Sequence, residues 1–212
     1  MALGFSFGGG DGGNDIIPIV KFDCRAGRMF RRDRVNGEYV QVDVTKGFKA
    51  VVDFENVETG WINFDTGTAP DFHVARYGTT VPPQPSEKHR PGVRLLVKLG
   101  KDSGGDVREL ASTAKAFLRG IDELHSAYVA GKDANAGKLP VAELSDTIAI
   151  TTGEGARKST NYAPVFKIVG WVARPADLIW KAKSASAPAA APAAAAPVAA
   201  AAPPFGSDDD FG

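Results

Sequence analysis

Short runs of β-branched and aromatic residues, separated by turn residues, dominate the first third of the chain after residue 14. They predict strands at 16–24, 29–35, 39–44, 48–57 and 61–64. Asn36-Gly37 stands between the second and third runs, and this dipeptide is a strong hairpin signal. In the fourth run every second residue is apolar, so we expect one buried face formed by Phe48, Ala50, Val52 and Phe54.

The middle of the chain predicts one inner strand and one helix. Alternation of apolar and polar residues continues at 93–99, which indicates a strand. A helix is predicted to begin at Asp106, because Asp106 and Glu109 form a start that resembles a capping box. Apolar residues then recur at helical spacing until Gly131, where we expect the helix to end.

The pattern returns to strands in the last part of the body. Runs at 141–152 and 162–172 are joined by a loop at 153–160. The order is therefore several strands, one helix, and strands again. We expect a mainly β fold with one central helix, an OB-fold-like Greek-key barrel with extra strands, followed by a disordered C-terminal tail.

Composition divides the chain into four parts. We expect a flexible Gly-rich leader at 1–14 and one OB-like domain at 15–183. Residues 184–206 are an Ala/Pro linker in which prolines interrupt every alanine run before a lasting helix could form. The chain closes with the acidic tip at 207–212, Ser-Asp-Asp-Asp-Phe-Gly. We expect the linker to hold the tip away from the domain and exposed to solvent.

The formal net charge of zero conceals a division between body and tip. The chain has 25 Lys+Arg and 25 Asp+Glu, and no base follows Lys183, whereas three acids lie at 208–210. Residues 1–183 therefore carry 25 bases against 22 acids, a net charge of about +3.

Cys24 is the one cysteine and fits a reducing compartment. The sequence lacks a secretory signal and a membrane-length apolar run, which predicts a soluble protein.

No pattern of catalytic or metal-binding residues emerges. The loop 153–160 contains glycines, yet it lacks those that a Walker A phosphate loop requires before its lysine. A Gly-x-Ser-x-Gly elbow for a nucleophilic serine does not occur. The short spacing of a zinc-binding pair is absent from the histidines, His73, His89 and His125. We therefore expect no enzyme activity, no cofactor and no metal.

Cations stand beside aromatic residues throughout the strand-like sequence. This texture is typical of single-strand binding, in which cations contact phosphates and rings stack on bases. A β protein with an aromatic core and a charged exterior has the same texture, and neighbouring residues of a strand point to opposite faces. The strand cations, loop cations and rings that we expect to contact DNA are Arg28, Arg31, Lys49, Trp61, Arg76, Lys98, Arg157, Lys158 and Tyr162.

The β-rich body, the Ala/Pro linker and the tip Asp208-Asp209-Asp210-Phe211 together resemble a phage-type single-stranded DNA-binding protein. The resemblance implies sequence-independent binding and protection of single-stranded DNA in replication or recombination, in the cytoplasm of a bacterium or of a phage-infected host. It implies that Asp208 to Phe211 recruit replication or recombination proteins and compete with DNA for the protein's own groove. Several family tails end on Phe, whereas Gly212 follows it here.

Another class of function fits the same tail. A phage structural or adaptor protein could use the tip as a peptide ligand without binding nucleic acid. The sequence leaves open whether the chain forms a homodimer. Binding of a labelled oligo-dT separates the two classes.

Shortening the chain to end at Lys183 tests the role of the tip. A tethered competitor reaches an effective concentration on the order of mM, so even a weak contact would reduce the apparent affinity for DNA. We expect the shortened chain to bind oligo-dT more tightly than the whole chain in a gel-shift titration at low salt. Equal affinity would rule out autoinhibition by the tail.

Overall fold

Strands occupy most of the folded chain, and one α-helix interrupts them. The computed structural model describes residues 17–67 and 69–180, so the predictions for 1–14, 184–206 and 207–212 lie outside the described residues. The elements are β1 (Ile19–Asp23), β2 (Arg28–Val35), β3 (Glu38–Asp43), β4 (Lys49–Val52), β5 (Glu58–Asn63), β6 (Asp71–Arg76), β7 (Arg90–Leu99), β8 (Val107–Ser112), α1 (Lys115–Gly131), β9 (Lys138–Thr152) and β10 (Ser159–Ala173).

The strands belong to one sheet with mainly antiparallel neighbours. Its main path runs β10-β9-β4-β7-β8-β1-β2-β3, and β5 pairs with both β6 and β7. β1 and β8 are parallel, with Ile19 opposite Glu109 and Val20 opposite Leu110. No ladder among the described strands joins the two ends of the path, so the sheet is mixed and open.

Part of the sheet follows the strand order of an OB-fold. β4 pairs with β7 and β9, β7 pairs with β8, and β9 pairs with β10, while α1 lies between β8 and β9 in sequence. Strands β1 to β3 extend this unit beside β8. A backbone hydrogen bond of 2.6 Å from the N–H of Tyr162 to the carbonyl of Cys24 joins β10 to the turn after β1. The prediction of a mainly β, OB-like fold with one central helix and extra strands is confirmed.

The predicted start of the helix is wrong. Val107–Ser112 form strand β8, and α1 begins only at Lys115, although it ends at Gly131 as predicted. Arg108 and Leu110 are buried while their neighbours are less so, which is the two-residue period of a strand. β7 and β1 flank β8 and satisfy its backbone groups, so strand pairing overrides the helical spacing read from the sequence. Strand β6 was not predicted.

Helix α1 packs closely on β10. Its buried stripe consists of Phe117, Gly120, Ile121, Leu124 and Tyr128. Gly120 is required at the contact, because a Cβ at this position would lie 2.4 Å from the carbonyl oxygen of Pro164. A larger residue at 120 would push the helix away from the sheet.

Strand β7 is buried on both faces. On one face Leu96 packs with Leu139 and Leu178 in a small cluster. The other face contributes to the main core, as predicted, through Val93, Leu95, Val97 and Leu99. The predicted buried face of the fourth run is also confirmed, because the main core contains Phe48, Ala50, Val52 and Phe54.

The hairpin predicted at Asn36-Gly37 is confirmed. The two residues have φ angles of +52° and +87° and connect β2 to β3. Positive φ at both turn positions matches the right-handed twist of the flanking strands. The turn places Val35 opposite Glu38 and sets the register of the whole hairpin.

A buried carboxylate ties the segment after β10 to the segment that follows β4. The guanidinium of Arg174 donates to both oxygens of Asp53, Nη1 to Oδ2 at 2.8 Å and Nη2 to Oδ1 at 2.7 Å. Asp53 is fully buried, and Asn56 donates a further hydrogen bond of 2.8 Å to its Oδ2. Arg174 also reaches Glu55 and the carbonyl of Leu178. The hydrogen bonds that Arg174 donates to Asp53 raise the pKa of Arg174 despite its partial burial, so the guanidinium stays charged.

Replacing Arg174 with Met leaves the Asp53 carboxylate buried without its charged partner. We expect the free energy of unfolding, measured by urea denaturation, to fall by about 3–5 kcal/mol. The matched control is Arg119→Met, which breaks an exposed ion pair with Glu123 and should cost less than about 1 kcal/mol. Equal losses for the two variants would contradict a structural role for the buried pair.

Candidate nucleic-acid interface

The outer half of the β2–β3 hairpin places an exposed ring beside two cations. Arg34 lies opposite Tyr39, and Arg32 lies opposite Gln41. Residues that oppose each other in an antiparallel pair share one face. The guanidinium carbon of Arg32 lies 4.1 Å from the centroid of the Tyr39 ring, and Tyr39 is 57% exposed. We call Arg32, Arg34 and Tyr39 the hairpin platform.

The positive charge of the hairpin platform is not neutralised by neighbouring acids. Within residues 17–67 and 69–180, neither Arg32 nor Arg34 forms an ion pair. Arg28, which lies further down the same face, does pair with Asp43, with Nη1 and Oδ2 3.0 Å apart. The platform thus offers a ligand two guanidinium groups without an acidic partner, one of them stacked over the ring, and a ring that is more than half exposed.

A buried arginine on β8 holds the platform strand in place. Arg108 donates from Nη1 to the carbonyl of Arg32 at 2.8 Å and from Nη2 to Oδ1 of Asp33 at 2.6 Å. Its Nε donates to Oδ2 of Asp106 at 2.9 Å. Burial lowers the pKa of Arg108, but the hydrogen bonds that it donates to Asp106 and Asp33 outweigh this effect and leave the pKa raised. The guanidinium is therefore charged, and β2 is fixed to β8 by strong hydrogen bonds.

Arg31, which was predicted to contact DNA, points to the other face of the hairpin. Its Nη1 donates to the carbonyl of Ser103 at 3.1 Å, and its Nε lies 3.0 Å from Oδ2 of Asp33. The side chain therefore holds β2 against the turn after β7. It contributes to the position of the platform and is not a free cation.

The other predicted cations fall into two groups. Lys49 lies 3.3 Å from Glu143, measured from Nζ to Oε2, and Lys98 pairs with Asp177 in the segment after β10. The predicted cations that are exposed and have no ion pair in the described part of the chain are Arg76, Arg157 and Lys158. Arg157 and Lys158 lie in the connection between β9 and β10.

The two predicted rings are both half-buried. Tyr162 packs against the main core and lies close to Gly27, where a Cβ would be 3.0 Å from the ring. Trp61 donates from Nε1 to the carbonyl of Pro82 at 3.1 Å. Trp61 and the predicted cation Arg76 share the β5–β6 hairpin but lie on its opposite faces. The predicted residues are therefore spread over several surfaces.

Comparison with protein-family models, with curated proteins and with solved structures gives no match. The functional interpretation consequently depends on the surfaces of this chain. Among the helices of the described residues, none combines the length and the apolar character that crossing a bilayer requires.

The ring–cation texture along single strands does not reveal the hairpin platform, because its ring and cations lie on two opposed strands. The signal was present in the sequence. A two-residue turn at Asn36-Gly37 implies the pairing of Val35 with Glu38, and therefore that of Arg34 with Tyr39. Neighbours along one strand point to opposite faces, but a ring and a cation on opposed strands share a face and can contact the same ligand.

An open apolar groove lies on a different surface, between α1 and β5. Its volume is about 650 Å³, and its lining includes Phe54, Trp61, Tyr77, Ile121 and His125. The rings of Tyr77 and His125 meet edge to face at 4.8 Å. Burial lowers the pKa of His125, so the imidazole is neutral at neutral pH. The mostly apolar lining suits an apolar or aromatic group.

Proposed function

We propose that the protein binds and protects single-stranded DNA without sequence preference, and that the hairpin platform is its primary contact surface. The supporting observation is the exposed ring of Tyr39 with Arg32 stacked beside it and Arg34 opposite it. A ring of this kind stacks on any base, while the guanidinium groups contact phosphates. Neither interaction reads sequence.

Two further features support the proposal. Arg157 and Lys158 are unpaired cations on an exposed connection, which suits a contact with a second stretch of phosphate backbone. The OB-like strand order is shared with many single-strand binders, which adds support by analogy only.

The acidic tip has a separate role in this proposal. Asp208, Asp209 and Asp210 supply negative charge and Phe211 a ring, which together suit a basic partner surface with an apolar pocket. We propose that the tip recruits replication or recombination proteins and weakens DNA binding when the protein is free. The setting of this function is the cytoplasm of a bacterium or of a phage-infected cell.

A second candidate function is that of a structural or adaptor protein without nucleic acid. The groove beside Trp61 and Tyr77 favours this candidate, since an apolar, ring-lined groove of about 650 Å³ can receive a side chain of a protein partner. The two candidates use different surfaces, so substitutions on the hairpin separate them.

The double variant Arg32→Ala/Arg34→Ala tests the proposed function. We expect the full chain to bind oligo-dT in a gel-shift titration, with weaker binding to duplex DNA of equal length. Affinity for single strands falls with salt at a log–log slope of about −0.7 per phosphate neutralised, so the double variant should reduce the slope by about 1.4. Tyr39→Ala should cost about 1–3 kcal/mol of stacking, whereas Tyr39→Phe should retain it.

The matched control for charge is Arg119→Ala/Lys132→Ala, which removes two cations from the surface of α1 and its C-terminus. We expect this variant to keep the affinity and the salt slope of the wild type, apart from a small loss through net charge. No binding of oligo-dT by the wild type, or equal losses in both double variants, would contradict the proposal.

A further inference from the structure

Three side chains with metal-binding atoms converge beside the groove. Asp71 and His73 are alternate residues of β6 and share one face, and His89 follows from the loop before β7. Nε2 of His89 lies 3.1 Å from Oδ2 of Asp71, and Nε2 of His73 lies 3.3 Å from Oδ1. The ligand atoms of the three residues all lie within 4.8 Å of one another.

We propose that Asp71, His73 and His89 bind one divalent transition-metal ion, with Zn²⁺ as the best fit. Zinc binds histidine nitrogen and carboxylate oxygen at about 2.0–2.2 Å, which in a tetrahedron separates neighbouring ligand atoms by roughly 3.3–3.5 Å. The nitrogen–oxygen separations of 3.1 and 3.3 Å, each to a different oxygen of Asp71, are close to this value. Small rotations of the side chains complete the site, and water takes the fourth position.

The orientation of His89 supports this assignment. Its Nδ1 is 2.9 Å from Oγ of Ser86, which leaves Nε2 directed at Asp71. The Nε2 amide of Gln84 donates to the carbonyls of His89 and Ser86, at 2.9 and 3.1 Å, and so shapes the loop around the imidazole. A metal-binding histidine commonly has its second nitrogen held in this way.

Burial and access also suit a metal site. The side chain of His89 is 6% exposed, whereas those of Asp71 and His73 are 48% and 43% exposed. One ligand is therefore fixed in advance, and an ion can enter from the solvent side. The imidazole rings of His73 and His89 are nearly perpendicular, at 88°, so both nitrogens reach the carboxylate without the rings stacking.

The site has a structural consequence for the groove. His89 ends the proline-rich loop that contains Pro82, whose carbonyl accepts the hydrogen bond of Trp61. A bound ion would fasten this loop to β6 and so fix one wall of the groove. The sequence predicted no metal site because sixteen positions separate His73 from His89, and only the pairing of β5 with β6 and β7 brings them together.

Metal titration of the full chain tests the proposal. After treatment with a chelator and its removal, we expect isothermal titration with Zn²⁺ to give one ion per chain, and Co²⁺ to give the visible absorption of a tetrahedral complex. Asp71→Asn and His73→Gln alter half-exposed residues and should weaken binding by more than about 100-fold. Ser86→Ala removes only the support of His89 and should weaken it by about 10–100-fold.

Two controls separate this site from other ligands of the chain. His125→Gln and the triple variant Asp208→Asn/Asp209→Asn/Asp210→Asn should bind Zn²⁺ as the wild type does. Absence of Zn²⁺ binding by the wild type would overturn the proposal. Unchanged affinity in both Asp71→Asn and His73→Gln would overturn it as well, because the ion would then bind elsewhere.

Discussion

The candidate site depends on the hydrogen bonds that the buried guanidinium of Arg108 donates to strand β2. Strands β1 to β3 join the OB-like unit through a parallel ladder that matches only Ile19 with Glu109 and Val20 with Leu110. Arg108 strengthens this short junction by donating to the carbonyls of Ile19 and Arg32 and to Asp33. A lysine could not replace it, since one ammonium group lacks the planar array of donors. Arg108 thereby fixes to β8 the strand that carries Arg32 and Arg34.

Arginine has the same role at the opposite end of the folded chain. Arg174 fastens the segment after β10 through Asp53, and that segment supplies Leu178 to the cluster on the outer face of β7. Lys98 of β7 forms an ion pair with Asp177 of the same segment. The apolar core holds the sheet and α1 together, while buried or half-buried ion pairs position the peripheral segments. This division explains why several cations in strand-like sequence are not available to a ligand.

The sequence was sufficient for the elements whose pattern is local. Alternation predicted the buried faces of 48–54 and 93–99, and Asn36-Gly37 predicted a hairpin. It was insufficient at Val107–Ser112, where the apolar residues fit both the period of a helix and that of a strand. There the pairing with β7 and β1 selects the strand. The burial of Arg108 and the convergence of His73 with His89 depend on residues distant in sequence, so local patterns could not predict them. The hairpin platform was predictable in principle, since the turn sets its register.

The central claim is that single-stranded DNA lies on the hairpin platform. Ultraviolet crosslinking of oligo-dT to the full chain, followed by mass spectrometry of the peptides, tests it most directly. Tyr39 is exposed and lies beside two arginines that have no acidic partner among the described residues, so we expect the principal adduct on Tyr39. Adducts confined to Trp61 and Tyr77 in the groove, with Tyr39 unmodified, would contradict the account.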